Sequence, residues 1–400
     1  MFTISSILSS VTGNHSIAFG GINIMFAGDF AQLPPVGGRR LYDSTVGVYT
    51  GKSKLVAAAQ KEAAGKAQWL QVVDVVILRQ NMRQVCSSSA DDKLRTLLVN
   101  LRYKQCTQDD IDFLSSRVIG TSISSEVLTK DEYKYLSIIT GHNSDRDAIN
   151  SLGCTKFSRD TGQELVAFYS VDSRPSAKSS ESQASKHSGL ITPELRNTYW
   201  NFTHYESSNV PGILWLCRGM PVIVKKNHAT ECGVTNGSEG VVVDWISHTV
   251  FDGKETLDVL FIKLTAADAS VQIEGLPPNV VPICSETSEI YCMLESDHKF
   301  KLRRHQVHVL PNFSMTDFAS QGKNRIYNLV DLHNLYSHQG YYTALSRSAF
   351  ADNTLVLQGF KPSRLRGGLD NDVKREFRDL EILDDITRLK YEGKLPPAVI

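Results

Sequence analysis

The stretch Ile22-Asn23-Ile24-Met25-Phe26-Ala27-Gly28-Asp29-Phe30-Ala31-Gln32-Leu33-Pro34-Pro35-Val36 constrains this chain more than any other. Its first half is a short apolar run of the kind that forms a fully buried strand in a parallel sheet, which predicts a strand over 22–27. Gly28 and Asp29 end the run, and Pro34-Pro35 stiffen the loop that leaves it. In open α/β sheets ligands sit beyond the carboxyl ends of strands, so Asp29 and Gln32 fall where a ligand would be. A carboxylate there can serve a metal or a water, and an amide can orient a water or touch a phosphate. For a Gly-Asp pair taken alone, the plainer expectation is an Asp that caps its own turn.

The 400 residues leave room for two or three domains with real cores. Forty-three basic residues balance 43 acidic ones, which neither argues for nucleic-acid binding nor excludes it, because a channel needs only local cations. No stretch approaches the apolar length of a membrane span. Met1 to about Ser16 reads as an amphipathic helix without a basic leader. The seven cysteines are scattered with no Cys-x-x-Cys pair, which points to reduced thiols and an intracellular protein. His305 and His308 would face opposite ways on a strand over 303–310, which argues against a metal site there. Gly51-Lys52-Ser53 has the look of a P-loop end, yet Val46 stands where the earlier glycine is required.

Further along, Val72 to Leu78 is a second β-rich run, followed by Arg79-Gln80-Asn81-Met82-Arg83-Gln84. Leu94, Leu97, Leu98 and Leu101 repeat at helical spacing, and Thr107 with Asp110 forms a capping-box signature for a helix through Leu114. Tyr135–Thr140 reads as a strand leading through Gly141-His142-Asn143 into a helix over 144–152, where Asn143 is a candidate cap. The Ser-rich composition of 171–209 predicts a mobile insertion, with order returning at Trp215. Asn236-Gly237 and Glu239-Gly240 between apolar runs give hairpin signals, and runs at 258–264 and 288–294 extend them toward a small antiparallel barrel. A strand over 354–357 and an amphipathic helix from about Asp372 to Tyr391 complete the outline.

The full run Gly28–Val36 resembles the third motif of superfamily-one DNA helicases of the RecD and petite-integration-frequency type. Residues 79–84 resemble that family's fourth motif, with Arg83 as a phosphate-sensing arginine. Gly141-His142-Asn143 resembles its Thr-x-Asn segment, and the Gly219-Met220-Pro221-Val222 and Asn236–Val242 pieces resemble its inserted barrel. Phe313 to Lys323 resembles the fifth motif, except that Ala319 stands where a lysine is usual. Tyr341-Tyr342-Thr343-Ala344-Leu345-Ser346-Arg347 resembles the sixth, with Arg347 as an arginine finger.

The resemblance implies an α/β, RecA-like P-loop NTPase helicase core. It implies the C-terminal part of a first RecA-like domain over 1–70 and the first part of a second over 71–210. A β-barrel-like insertion follows over 211–302, the rest of the second domain over 303–360, and a helical tail over 361–400. It further implies ATP and Mg2+ as cofactors, single-stranded or forked DNA as partner, 5′ to 3′ movement, and a nuclear or mitochondrial address. Gln32, Arg83 and Arg347 would act on the γ-phosphate; Gly28, Asp29, Gln321 and Gly322 would join Gln32 in holding nucleotide. Asn143, Thr316 and Ser320 would lie along the DNA path, contacting backbone with little sequence specificity. Neither a P-loop with its Lys and Ser/Thr nor the magnesium-holding Asp-Glu pair occurs in the 400 residues. In the family that pair directly precedes a helix like Met1–Ser9, so the sequence reads as an N-terminally truncated helicase, expected to lack substantial ATPase activity alone. The alternative is a non-catalytic, helicase-derived remnant that binds nucleic acid or a protein partner.

Overall fold

Apolar spacing and capping side chains set the helices of the computed structural model, which describes residues 1–46, 53–84, 87–174, 191–265, 271–293 and 299–395. In chain order these are α1 (Phe2–Thr12), α2 (Ser53–Trp69), α3 (Ser89–Arg102), α4 (Gln108–Ser115), α5 (Asp131–Lys134), α6 (Asn143–Thr161), α7 (Pro193–Trp200), α8 (Asp317–Ser320), α9 (His338–Leu345) and α10 (Asn371–Tyr391). The strands are β1 (Ile138–Thr140), β2 (Val166–Tyr169), β3 (Val171–Ser173), β4 (Ile213–Leu216), β5 (Pro221–Val224), β6 (Glu239–Thr249), β7 (Glu255–Leu264), β8 (Val280–Cys284), β9 (Glu286–Met293), β10 (Lys299–Gln306), β11 (Val309–Pro311), β12 (Ser314–Thr316), β13 (Asn328–Val330) and β14 (Thr354–Val356). The architecture is mixed α/β. Among the described residues no helix is long and apolar enough to cross a membrane.

The chain divides into two compact units, one of Met1–Phe113, Ser337–Ala351 and Lys361–Ile400, the other of Leu114–Tyr336 and Asp352–Phe360. The motif-based boundaries at 70 and 210 fall inside a unit, whereas the one at 360 coincides with a change of unit.

The first unit is helical. Leu94, Leu97, Leu98 and Leu101 of α3 are buried, as their spacing predicts, and so are Tyr341, Ala344 and Leu345 of α9, which packs on α3. The Thr107–Asp110 capping box forms: the Asp110 carboxylate accepts from the Thr107 amide at 2.7 Å, and the Asp110 amide donates back to the Thr107 hydroxyl at 3.3 Å. Two expectations fail here. Residues 22–27 and 72–78 are not strands: neither run belongs to a sheet, and Met25 and Leu78 are 93% and 91% exposed. A strand needs a neighbour for its amides, and these runs find none among the described strands. Instead α10 supplies acceptors to the second run: Val75 N–H donates to Thr387 Oγ1 at 2.9 Å and Ile77 N–H to Asp384 Oδ1 at 2.8 Å. Gly51 and Lys52 lie outside the described residues.

The second unit holds the sheets. A four-stranded sheet runs β12-β1-β13-β14, all parallel, with Ile139 beside Met315 and Val330. β5, β6, β7 and β8 pair antiparallel in a second, seven-stranded sheet around a core that includes Val222, Val242, Leu260 and Ile283. β3, β10 and β9 form a third. The expectation of a mobile segment across 171–209 is corrected at both ends, while 175–190 lies outside the described residues. Asp172 on β3 and Arg304 on β10 form a fully buried bidentate pair at 2.8 and 2.7 Å, and Arg304 also donates to the carbonyls of Tyr199 and Val210. Tyr199, Trp200 and Val210 are buried. Polar composition hid an internal strut.

Candidate functional site

Two groups of sequence-singled residues form, one in each unit. In the first unit Phe30 anchors the loop. Its ring meets Tyr42 at 4.9 Å and Trp69 at 5.5 Å, edge to face, while Val373 and Phe377 of α10 complete the cluster. That anchoring fixes Asp29 next door. Asp29 Oδ1 accepts from the Ala31 amide at 2.9 Å and its carbonyl from the Gln32 amide at 3.1 Å, so it does cap its own turn. Its other oxygen faces outward from that turn: Arg102 Nη1 donates to Oδ2 at 2.6 Å, with the Tyr342 hydroxyl 3.5 Å away. Gln32 is half-buried on the same turn.

Arg83 is presented by an Asx turn, in which Asn81 Oδ1 accepts from the amides of Arg83 and Gln84 at 3.0 and 3.1 Å. Its Nη1 donates to the Ser346 carbonyl at 2.8 Å. Buried Gln84 donates to the carbonyls of Ser346 and Ser348, and Asp91 Oδ1 accepts from the Ala351 amide at 2.8 Å. These bonds hold the segment carrying Arg347. Arg347 is 1% exposed, its Nε donating to the Thr343 carbonyl at 2.9 Å and its Nη2 to Ser346 Oγ at 2.8 Å. It is therefore no helix-surface arginine. Burial, and then the positive charge of Arg83, lower its guanidinium to about 10. Two cations crowded in this way are stabilised by an anion between or beside them. Arg102, Tyr342, Asn81 and Gln84 were missed as site residues. Only Tyr342 and the 79–84 segment carried a sequence signal, because Arg102 reads as the ordinary last-turn cation of α3.

In the second unit Thr316 ends a parallel strand at the carboxyl edge of the sheet, and Asn143 follows the neighbouring strand's end at that edge. Thr140 and Thr316 are register partners, and Asn143 follows three residues after Thr140. The cap of α6 is His142 rather than Asn143, which is the first helical residue. Gly141 is required there, since a Cβ would lie 2.7 Å from the Asn334 carbonyl oxygen. Thr316 Oγ1 caps α8 by accepting from the Ala319 amide at 3.3 Å. Ser320 is fully buried and donates to the Asp317 carbonyl at 2.7 Å, so in this conformation it has no surface with which to touch a nucleic acid. Gln321 and Gly322 are exposed just beyond it, Gly322 with φ +80°. Asp317 is buried, and that burial pushes its carboxyl up to about 6.

An ATP–magnesium site needs more than these groups. Arg83 and Arg347 suit the γ end of a triphosphate, but the P-loop amides and lysine that cradle the β-phosphate are absent from the 400 residues. Both Asp29 oxygens are already engaged, by Ala31 and Arg102. The residues present do not fit the whole group.

No family model matches the chain, and no curated protein matches it by sequence. Solved structures do. The Pif1 helicase of Candida albicans is 19% identical with a TM-score of 0.55, over 94% of this chain and 73% of that one. A Bacteroides Pif1 bound to single-stranded DNA is 17% identical with a TM-score of 0.55, over 98% and 72%. A Bacteroides Pif1 in complex with ADP-AlF3 and single-stranded DNA is 18% identical with a TM-score of 0.54, over 98% and 72%. The chain has the helicase fold of these proteins over nearly its whole length.

Proposed function

From the fold shared with Pif1 helicases, we propose that this chain works in an ATP-dependent, 5′ to 3′ DNA helicase of that type. It would bind single-stranded DNA along Asn143 and Thr316 and sense a nucleotide γ-phosphate through Gln32, Arg83 and Arg347. The observation that carries this reading is the juxtaposition of Arg83 and Arg347, 264 positions apart, through the single Ser346 residue that both contact. The half-buried guanidinium of Arg83 beside the fully buried one of Arg347 suits an anionic ligand. Turnover also requires a P-loop and a magnesium-holding acidic pair, which these 400 residues do not contain. The chain alone is expected to show no DNA-stimulated ATPase, and measurable turnover would refute that expectation.

The test of the wider reading is the affinity for a labelled oligo-dT, read by fluorescence anisotropy with and without ATP. Binding that weakens in Asn143→Ala and shifts with nucleotide in the wild-type chain, but not in Arg347→Ala, supports it. The Asp29–Arg102 ion pair, which leaves the third-motif carboxylate neutralised, favours a second reading as a non-catalytic nucleic-acid binder. Oligonucleotide binding wholly indifferent to ATP would select that reading, and no binding at all would remove both.

A further inference from the structure

Single apolar side chains facing solvent are commonplace and need no explanation, but one aromatic ring in the second unit is both exposed and held still. Tyr336 closes the loop that follows β13 and is 67% exposed. Its hydroxyl is hydrogen-bonded to His142 Nδ1 at 2.7 Å, and the two rings meet edge to face with centroids 4.4 Å apart. The loop beneath is anchored as well. Leu332 and Leu335 are buried, and the Leu335 amide donates to the Leu332 carbonyl at 3.3 Å. Asn334 Nδ2 donates to Asp145 Oδ2 on α6 at 2.9 Å, and Gly141 lets the Asn334 carbonyl pass where a Cβ would stand 2.7 Å from it. A ring fixed before its ligand arrives loses little freedom on binding.

The surroundings indicate what the ring fits. The half-buried or exposed residues beside it in the loop and at the start of α6 are His333, Asn334, His142 and Asn143, all polar. A protein partner calls for a contiguous apolar patch. A single flat apolar face with a polar rim matches a nucleobase, which has a π-face and a hydrogen-bonding edge of its own. His142 caps α6 and Asn143 is its first residue, so the ring's brace is the immediate neighbour of a candidate backbone contact. We infer that Tyr336, braced by His142, is a stacking platform for a base of single-stranded DNA. The inference rests on the function proposed above and adds to it: Asn143 and Thr316 follow the backbone, whereas Tyr336 takes a base. Because every base has a π-face, the platform grips without reading sequence.

The experiment measures, by fluorescence anisotropy, the affinity of the whole 400-residue chain for oligo-dT and for an abasic oligonucleotide of the same length. The two carry the same phosphates, so backbone contacts and their salt dependence cancel in the ratio of affinities. The wild-type chain should bind oligo-dT more tightly by about fivefold or more, the effect of one stacked base. Tyr336→Ala should lose about that factor toward oligo-dT while keeping its abasic affinity and its salt slope. Tyr336→Phe keeps the ring and gives up the bond to His142, and it should recover most of the loss. A ratio in Tyr336→Ala equal to that of the wild-type chain overturns the inference. So does a loss of equal size toward both oligonucleotides, which is what a purely structural bond to His142 would produce, and so does a Tyr336→Phe chain as weak as Tyr336→Ala. If the wild-type chain binds the two oligonucleotides alike, the platform is removed and the function proposed above stands; if it binds neither, both fall.

Discussion

Two apolar runs of similar composition meet opposite ends in the two units. In the first, Val72–Leu78 lies extended along α10 with Val76 74% exposed; in the second, Ile138–Thr140 sits at the middle of a parallel sheet with Ile139 fully buried. β-Branched residues favour extended backbone in both places. What differs is the neighbour. β1 is flanked by β12 and β13, so its amides are paired and its side chains covered. Among the described residues, the amides of Val75 and Ile77 bond to side chains of one helix, which leaves most of the run exposed. Extended conformation is a local property; a buried strand is a property of three segments together.

The largest expected effect follows from that. Ile139→Ala should lower the unfolding free energy of the second unit by about 2–5 kcal/mol, because the sheet around it cannot collapse onto the lost volume. Urea unfolding followed through hydrogen exchange of peptides from β1, β12 and β13 would check it. A loss below about 1 kcal/mol would mean that the parallel sheet is no better supported than the 72–78 run.

Proton linkage gives the units opposite slopes. Asp317 in the second unit is buried, and burial raises its carboxyl to about 6 from 3.8. Its contribution is fully present below the unfolded value and is lost as pH rises through the folded one, so stability falls between about pH 4 and 6. Asp317→Asn keeps the oxygen that accepts from the Phe318 amide and removes the charge. It should stabilise the second unit by about 2–3 kcal/mol at pH 7.5 and by nothing near pH 3.5. In the first unit, burial, then the charges of Lys104 and Arg40, lower His338 from 6.5 to about 4. There the sign reverses: stability is present above 6.5 and is lost as pH falls toward 4, and His338→Gln should flatten that limb. Protection factors of α9 and β12 peptides, corrected for the intrinsic rise of exchange with pH, should move in opposite directions between pH 4 and 7.

Side chains explain how much of this was legible. The helices α3, α4 and α10 were readable because their spacing and caps act within a few residues. The Phe30–Gln32 turn and Arg347 were legible as motifs, but the bonds that hold them were not. Arg102 reaches Asp29 across 73 positions and Gln84 reaches Ser348 across 264, and neither distance leaves a periodic trace. Asp172 misled for the same reason, since its partner Arg304 lies 132 positions away and the serines around it suggest disorder. Ser320 has the residue type for a phosphate contact and the burial of a structural bond.

A smaller effect tests the helix that stands in for a sheet. Asp384 Oδ1 accepts from the Ile77 amide and Oδ2 from Arg79 at 2.7 Å. Asp384→Ala frees both donors, and because its side chain is 15% exposed, water can replace part of what is lost. The expected loss is about 1 kcal/mol, with faster exchange confined to peptides spanning 72–79. Protection unchanged there would show that the run is held by something other than α10.

The smallest expected effect is the sharpest comparison. Val76 has the same β-branched shape as Ile139 and sits in a run of the same character, but its side chain points to solvent. Val76→Ala therefore removes no covered volume and leaves the backbone bonds of Val75 and Ile77 to α10 intact. It should change the stability of the first unit by less than about 0.5 kcal/mol, measured as Ile139→Ala is measured in the second. A loss of about 2 kcal/mol or more would mean that in solution Val76 is covered, by a second chain or by a rearranged 22–27 run. The contrast between a lone extended segment and a paired strand would then belong to the isolated chain rather than to the protein at work.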